Sequence, residues 1–369
     1  MVHVSKNNEL FCSGQGVLPG KLAASAIGLI DEDEPRHGEM RSLINRGFTP
    51  RMVSHWEEVF RGITDETLDA VAKQGECDFV DDVAVPLPLM LIAEMIGIRP
   101  EDRERFHYWS DAMIAAQGNF DKPEIIAESG KAAMEYFNYL TEVIEDRRQN
   151  PQNDLISILV RAKDEGVLGR KKSRHIDQIE EALGRSEEHR EMSSDELIKM
   201  CVLLLVAGNE TTRNALSGSL QLLIEHPDLQ RRLADDPSLI PQAVEEMLRL
   251  VSPVLSFQRT ATRDTELRGV LIAEGQKVLM IYGAANRDPE VFDDPDRFDI
   301  DRKAQHVAFG IGNHFCLGAN LARMELRVAL SEILRRMPDL VYRDGGPEFG
   351  TSALVRSVKH MHVKFTPEV

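Results

Sequence analysis

The chain has 369 residues, 42% hydrophobic and 28% charged, enough for one large buried core or two modest ones. Its formal net charge of −17 excludes a protein that tracks nucleic-acid phosphates over a broad basic surface. The cysteines at 12, 77, 201 and 316 form no CxxC pair, which excludes a disulfide framework and points to a reducing compartment.

The first residues, MVHVSKNNELF, carry no apolar signal-peptide core. The longest apolar run, CVLLLVAG at 201–208, is far too short to span a bilayer, so a cytoplasmic protein is expected, with no membrane or nucleic-acid partner.

Apolar residues at three- and four-residue spacing predict helices over 51–71, 100–117, 123–148 and 238–250. Residues 165–192 are densely charged and read as a solvated surface insertion. A central helix follows. Ser193 and Glu196 have capping-box spacing, Asp195 suits the positive helix end, and Pro227 stops the helix after about His226. Roughly 32 residues at ~1.5 Å each give about 48 Å, enough to cross the molecule. Its middle is apolar on every side, which predicts burial.

Strand-like alternation is confined to the last third, over 265–269, 277–282 and 360–365. No repeat and no Ser/Gly-rich linker divides the chain. The expectation is a single, mainly α domain over 1–369 with small β-sheets.

The most specific motif is FGIGNHFCLG, residues 309–318, followed by the helical run ANLARMELRVAL. Gly310 and Gly312 allow a tight turn close to a flat ligand. Cys316 falls where a helix begins, where free N–H groups stabilise a thiolate and lower its pKa. Gly318 lets that helix approach the ligand plane. A lone buried cysteine is usually inert; this spacing reverses the odds.

A second motif, AGNETT at 207–212, puts Glu210 and Thr211 inside the apolar central helix, where polar groups are costly unless used. Gly208 leaves room for a small ligand, or is a helix-packing notch. Thr211 can bond back to a carbonyl and widen the turn. Beside the cysteine motif, an acid–alcohol pair for proton delivery is the better reading.

Glu246 and Arg249 lie one helical turn apart in EEMLR, a spacing that is common and weak on a surface. In DPDRF, Arg297 is placed to complete a Glu–Arg–Arg cluster that holds the cysteine loop. Basic groups suited to two carboxylates are spread along the chain. His37 and Arg41 sit four apart on a helix starting at Pro35, Arg259 precedes an expected strand, and His314 lies inside the cysteine motif.

In this order the motifs HxxxR, AGxET, ExxR, PxRF and FGxGxHxCLG resemble the cytochrome P450 family over essentially the whole chain. The resemblance implies the P450 fold, with a long central helix over a heme b. It implies Cys316 as axial thiolate, and Glu210 with Thr211 as the distal acid–alcohol pair. Glu246, Arg249 and Arg297 would be structural, and His37, Arg41, Arg259 and His314 would hold the propionates. Phe309, Gly310, Ala207 and Gly318 would lie against the cofactor. The implied reaction inserts one atom of O2 into an unactivated C–H, with electrons from NAD(P)H through a reductase and a ferredoxin.

The sequence is similar to soluble bacterial members of mycobacterial type, several of which oxidise steroids, branched lipids or terpenoids. Against the family pattern the usual N-terminal helix and first strands are expected to be missing. Substrate contacts are expected from 113–120, 203–207, 254–257 and 353–355, which are mostly apolar. Arg302, Lys303, Arg323 and Arg327 are candidate cations for docking an acidic ferredoxin. Two other readings are a heme-binding sensor without oxygenase activity and a peroxide-driven oxidase; the retained Glu–Thr pair speaks against both.

Overall fold

The computed structural model describes residues 1–19, 28–116, 119, 122–164, 194–352 and 354–368. Its helices are α1 (Val2–Lys6), α2 (Arg36–Ile44), α3 (Pro50–Val71), α4 (Pro86–Ile96), α5 (Arg103–Ala115), α6 (Pro123–Gln149) and α7 (Leu155–Asp164). They continue with α8 (Ser194–Glu225), α9 (Pro227–Asp235), α10 (Ile240–Val251), α11 (Tyr282–Ala285) and α12 (Ala319–Arg336). Local chemistry sets their ends. Thr49 caps α3 by accepting from the N–H of Met52, with Pro50 in the first turn. Gly97 closes α4 in the left-handed conformation, φ 81°, which a side chain would disfavour.

The strands are short: β1 (Phe11–Cys12), β2 (Glu76–Asp78), β3 (Ser256–Ala261), β4 (Thr265–Leu267), β5 (Val270–Ile272) and β6 (Lys277–Ile281). After them come β7 (Val341–Tyr342), β8 (Glu348–Phe349), β9 (Val358–His360) and β10 (His362–Lys364). Two antiparallel sheets tie the ends of the chain together, in the orders β1-β3-β6 and β2-β10-β7. In the first Cys12 faces Thr260, and in the second Asp78 faces His362.

The central helix α8 runs through two cores. Leu197, Ile198, Met200, Cys201 and Leu205 join a cluster built with α5, α6 and α7. Ala215, Leu216, Leu220, Leu223 and Ile224 join a second one with α3, α10 and α12. The seam between them falls on the AGNETT motif. There the helix is covered least: Ala207 is exposed and Thr211 half-buried, although both sit mid-helix.

The mainly α class with small sheets is as expected, and the expected helices lie within a few residues of the observed ones. Strand pairing does not stay in the last third, because β1 and β2 supply partners from the first. At two and three residues they are too short to alternate visibly. Arg259 lies within β3 rather than before a strand. Helix α4 escaped prediction because PLPLMLIAEMI is apolar almost throughout and shows no period. The charged stretch 165–192 and the Ser193 cap lie outside the described residues. Among those described, no helix is long and apolar enough to cross a membrane.

Candidate functional site

The cysteine loop is shaped by two left-handed glycines, Gly310 at φ 70° and Gly312 at φ 80°. A Cβ on Gly312 would stand 2.6 Å from the carbonyl oxygen of Ser5, so this glycine accommodates α1 rather than a flat ligand. The turn closes with the Cys316 N–H donating to the Phe309 carbonyl at 2.8 Å. Beside Gly318, immediately before α12, a Cβ would meet nothing within 4 Å. Cys316 is solvent-accessible, yet enough protein surrounds its thiol to strip away part of its hydration.

Three basic residues from two distant segments, His37 and Arg41 on α2 and Arg259 on β3, converge on His314 within this loop. The His37 ring, on α2, lies against the His314 ring at a centroid distance of 4.0 Å, and its Nδ1 meets Glu34 at 3.0 Å. His314 Nε2 pairs with the Ser13 hydroxyl at 3.1 Å. Burial, with His37, Arg259 and Arg41 nearby, pushes His314 down to about 3. Arg259 is 5% exposed and donates to the carbonyl of Gln258 at 2.9 Å. Burial lowers the pKa of both Arg259 and Arg41, and among the described residues neither has a carboxylate within ion-pair distance. Buried guanidinium groups without acids are costly. A ligand carrying two carboxylates would relieve both.

The expected lowering of the Cys316 pKa is not what the fold produces. Burial raises it, and the opposing N–H of Gly318 and the charges of Arg41 and Arg323 do not make up the difference. A cation bound at sulfur would lower it.

On α8 the Thr211 hydroxyl donates to the Ala207 carbonyl at 2.7 Å while the helix stays α-helical throughout. The back-bond therefore forms without widening the turn. Glu210 is buried; its Oε1 accepts from Asn214 at 2.9 Å and its Oε2 stands 2.7 Å from Arg213. Asn214 also accepts from the Val358 N–H, joining the acid to β9. Gly208 is a packing notch, since a Cβ there would come within 2.7 Å of Ile92.

Behind the loop, Arg249 grips Glu246 through two bonds of 2.7 Å, with neither side chain exposed. The second guanidinium on Glu246 is that of Arg302, at 3.2 Å, rather than Arg297. Arg297 enters by its backbone, its carbonyl accepting from Arg249 at 3.2 Å. DPDRF placed an arginine near the cluster, but the chain turn at 293–302 presents the later one. Arg249 also donates to the carbonyl of Asn286, whose side chain accepts from the Val307 N–H at 2.8 Å. That route links the ion pair to the start of the cysteine loop. Asn286 and Asn214 carried no sequence signal, and Arg302 pointed only to a surface role, since an isolated polar residue is indistinguishable from a surface one until burial is known.

Three of the four candidate docking cations are engaged within the chain. Arg302 holds Glu246, Arg327 pairs with Glu57, and Arg323 binds Glu245 while lying over the Phe309 ring at 4.6 Å. Burial raises the Glu245 pKa, but bonds from His306 and Arg323 bring it down to about 2. Lys303 is exposed.

A family model described as Cytochrome P450 matches residues 21–349. The chain belongs to the cytochrome P450 family. This P450 is 37% identical over 369 residues to a steroid C26-monooxygenase of Mycolicibacterium smegmatis, covering 100% of this chain and 86% of that one. Its fold superposes on P450BioI in complex with an acyl carrier protein bearing hexadec-9Z-enoic acid, with a TM-score of 0.84, 30% identity and coverage of 99% and 89%. It also superposes on CYP109E1 of Bacillus megaterium in complex with testosterone, with a TM-score of 0.83, 32% identity and coverage of 99% and 91%. The P450 is thus an oxidoreductase of the heme monooxygenase class, using O2 and electrons from a redox partner on hydrophobic substrates.

The residues present suit the heme that the family implies. An accessible interior thiol, open space beside Gly318, and one buried and one half-buried guanidinium group, Arg259 and Arg41, without acids in ion-pair reach among the described residues form a donor set for a flat dianionic iron complex. Ala207 and Thr211 are the uncovered part of α8.

Proposed function

We propose that this P450 hydroxylates a hydrophobic small molecule of steroid, branched-lipid or terpenoid type, with electrons from NAD(P)H through a reductase and a ferredoxin. The observation that carries the site assignment is the convergence of Cys316 with Arg41, Arg259, His37 and His314. Cys316 would be the axial ligand of heme b, and the four basic residues would bind its propionates by charge-assisted hydrogen bonds. Phe309, Gly310, Ala207 and Gly318 would border the ring. When bound, the heme supplies the oxygen-activating chemistry, which electron donation from a thiolate favours.

The chain's own share is proton handling, orientation and exclusion of water. The Thr211 hydroxyl, half-exposed on α8, would relay a proton, and Glu210 would resupply it from behind. Arg213 and Asn214 hold the acid buried, so resupply requires Glu210 to leave its partners. Leu203 and Ala207 share the Thr211 face of α8, and Val254 bridges Val355; these apolar groups would line the substrate side. The steroid part of the proposal rests on the mycobacterial relative's name and on the testosterone-bound structural neighbour. Lys303, exposed beside the Glu246 cluster, is the remaining candidate contact for an acidic ferredoxin.

The test is the carbon monoxide difference spectrum of the reduced protein, with a sterol and fatty-acid panel scored by spectral shift and NAD(P)H-dependent product. A thiolate-type Soret band lost in Cys316→Ser is expected. A histidine-type band would refute the ligand assignment, and a panel without any shift or product would refute the substrate class.

A further inference from the structure

We propose that His360, His362, Asp78 and Asp81 form a binding site for a divalent transition metal, remote from Cys316 in sequence and unconnected to its chemistry. His360 Nδ1 lies 2.7 Å from Asp78 Oδ2 and 3.5 Å from Asp81 Oδ2, and one ligand atom from each of these three residues, His362 not included, falls within 4.8 Å of the others. Those separations let one ion touch all three with small side-chain rotations. The ring of His362 stands parallel to that of His360, 5° and 6.1 Å away.

The backbone explains the arrangement. Met361 and Val363 are buried, so His360, at the end of β9, and His362, at the start of the central strand β10, share the opposite, half-buried face. In the β2–β10 pairing His362 faces Asp78. Asp78 is preset, since its Oδ1 accepts from the N–H groups of Val80 and Met361 at 3.1 and 3.0 Å, which leaves Oδ2 for a ligand. Asp81 sits on the π-helical turn Val80–Ala84, aimed at the same imidazole.

A histidine–aspartate pair on a surface is ordinarily a hydrogen bond and nothing more. Here carboxylates outnumber imidazoles, because Asp82 and Asp111 also lie close enough to Asp81 to act on it electrostatically. Asp111 is itself engaged with His107 at 3.1 Å. Two imidazoles and two carboxylates suit Zn2+, Co2+ or Ni2+ better than Mg2+ or Ca2+, which prefer all-oxygen shells. To ligate through Nδ1, a neutral His360 would carry its proton on Nε2.

Heme-loaded protein without a histidine tag would be titrated with ZnCl2 by calorimetry and by thermal shift. Saturable binding with one equivalent and a rise in Tm are expected. His360→Gln, His362→Gln and Asp81→Asn should each weaken affinity at least about tenfold and abolish the Tm rise. Asp78 is left intact because it holds two backbone N–H groups. An unchanged parental Tm and carbon monoxide spectrum without zinc verify that the variants fold. Equal zinc affinity in parent and His360→Gln/Asp81→Asn, or no zinc-specific heat in the parent, would overturn the site.

Discussion

Arg249 meets Glu246 in two 2.7 Å bonds inside a core that leaves neither side chain exposed, and the same guanidinium holds the Asn286 carbonyl that leads to the cysteine loop. Removing one partner strands a buried charge. Glu246→Ala should destabilise by about 3–5 kcal/mol and sharply reduce heme incorporation. Arg302→Ala, which removes a partly exposed cation, should cost about 1 kcal/mol, and Arg297→Ala less, because Arg297 contributes its carbonyl. Chemical denaturation and the heme-to-protein ratio decide. A larger loss from Arg297→Ala than from Arg302→Ala would contradict the observed geometry.

Arg259 is buried beside Arg41, with no acid in ion-pair reach among the described residues. Arg259→Met should therefore leave heme-free protein as stable as the parent or more so, while heme dissociates about 10–100-fold faster. Transfer of heme to an apomyoglobin acceptor measures the rate. Slower or unchanged release would remove Arg259 from the propionate set.

Thr211 bonds to the Ala207 carbonyl in a helix that stays regular, so its hydroxyl contributes little to stability. Thr211→Ala should keep the parental Tm and NAD(P)H consumption while product per NAD(P)H falls by about 10²-fold, with peroxide released instead. Full product yield in this variant would show that Thr211 relays no proton.

Glu325 lies buried on α12, and burial raises its pKa to about 8 despite a bond with Thr212. Between its ordinary value of 4.5 and about 8 the folded protein keeps a proton that the unfolded chain has released. Stability attributable to this group therefore falls as pH rises across that window, by about 1.4 kcal/mol per pH unit. Glu325→Gln should raise the Tm more at about pH 8 than at about pH 5, flattening this slope. A pH dependence identical to the parent would place the titration elsewhere.

Much of the site was legible because its chemistry demands fixed spacings. The glycines at 310 and 312 need positive φ, the cysteine precedes a helix, and an acid–alcohol pair interrupts an apolar helix. Glycines were legible as positions and not as contacts. Gly208 and Gly312 make room for Ile92 and Ser5, neighbours 116 and 307 residues away in sequence. Arg302 read as a surface docking cation and Asn286 not at all, since nothing local separates a buried cation or amide from the exposed ones nearby.

The sequence by itself determined the helices, the cysteine at a helix start and the polar break in α8, because periodicity and turn chemistry are local properties. Tertiary structure alone decided which cations stand together, which arginine reaches Glu246, and that burial outweighs the helix start in setting the Cys316 pKa. Electrostatic energies depend on distance and on exclusion of water, and both come into being when segments hundreds of residues apart pack against one another.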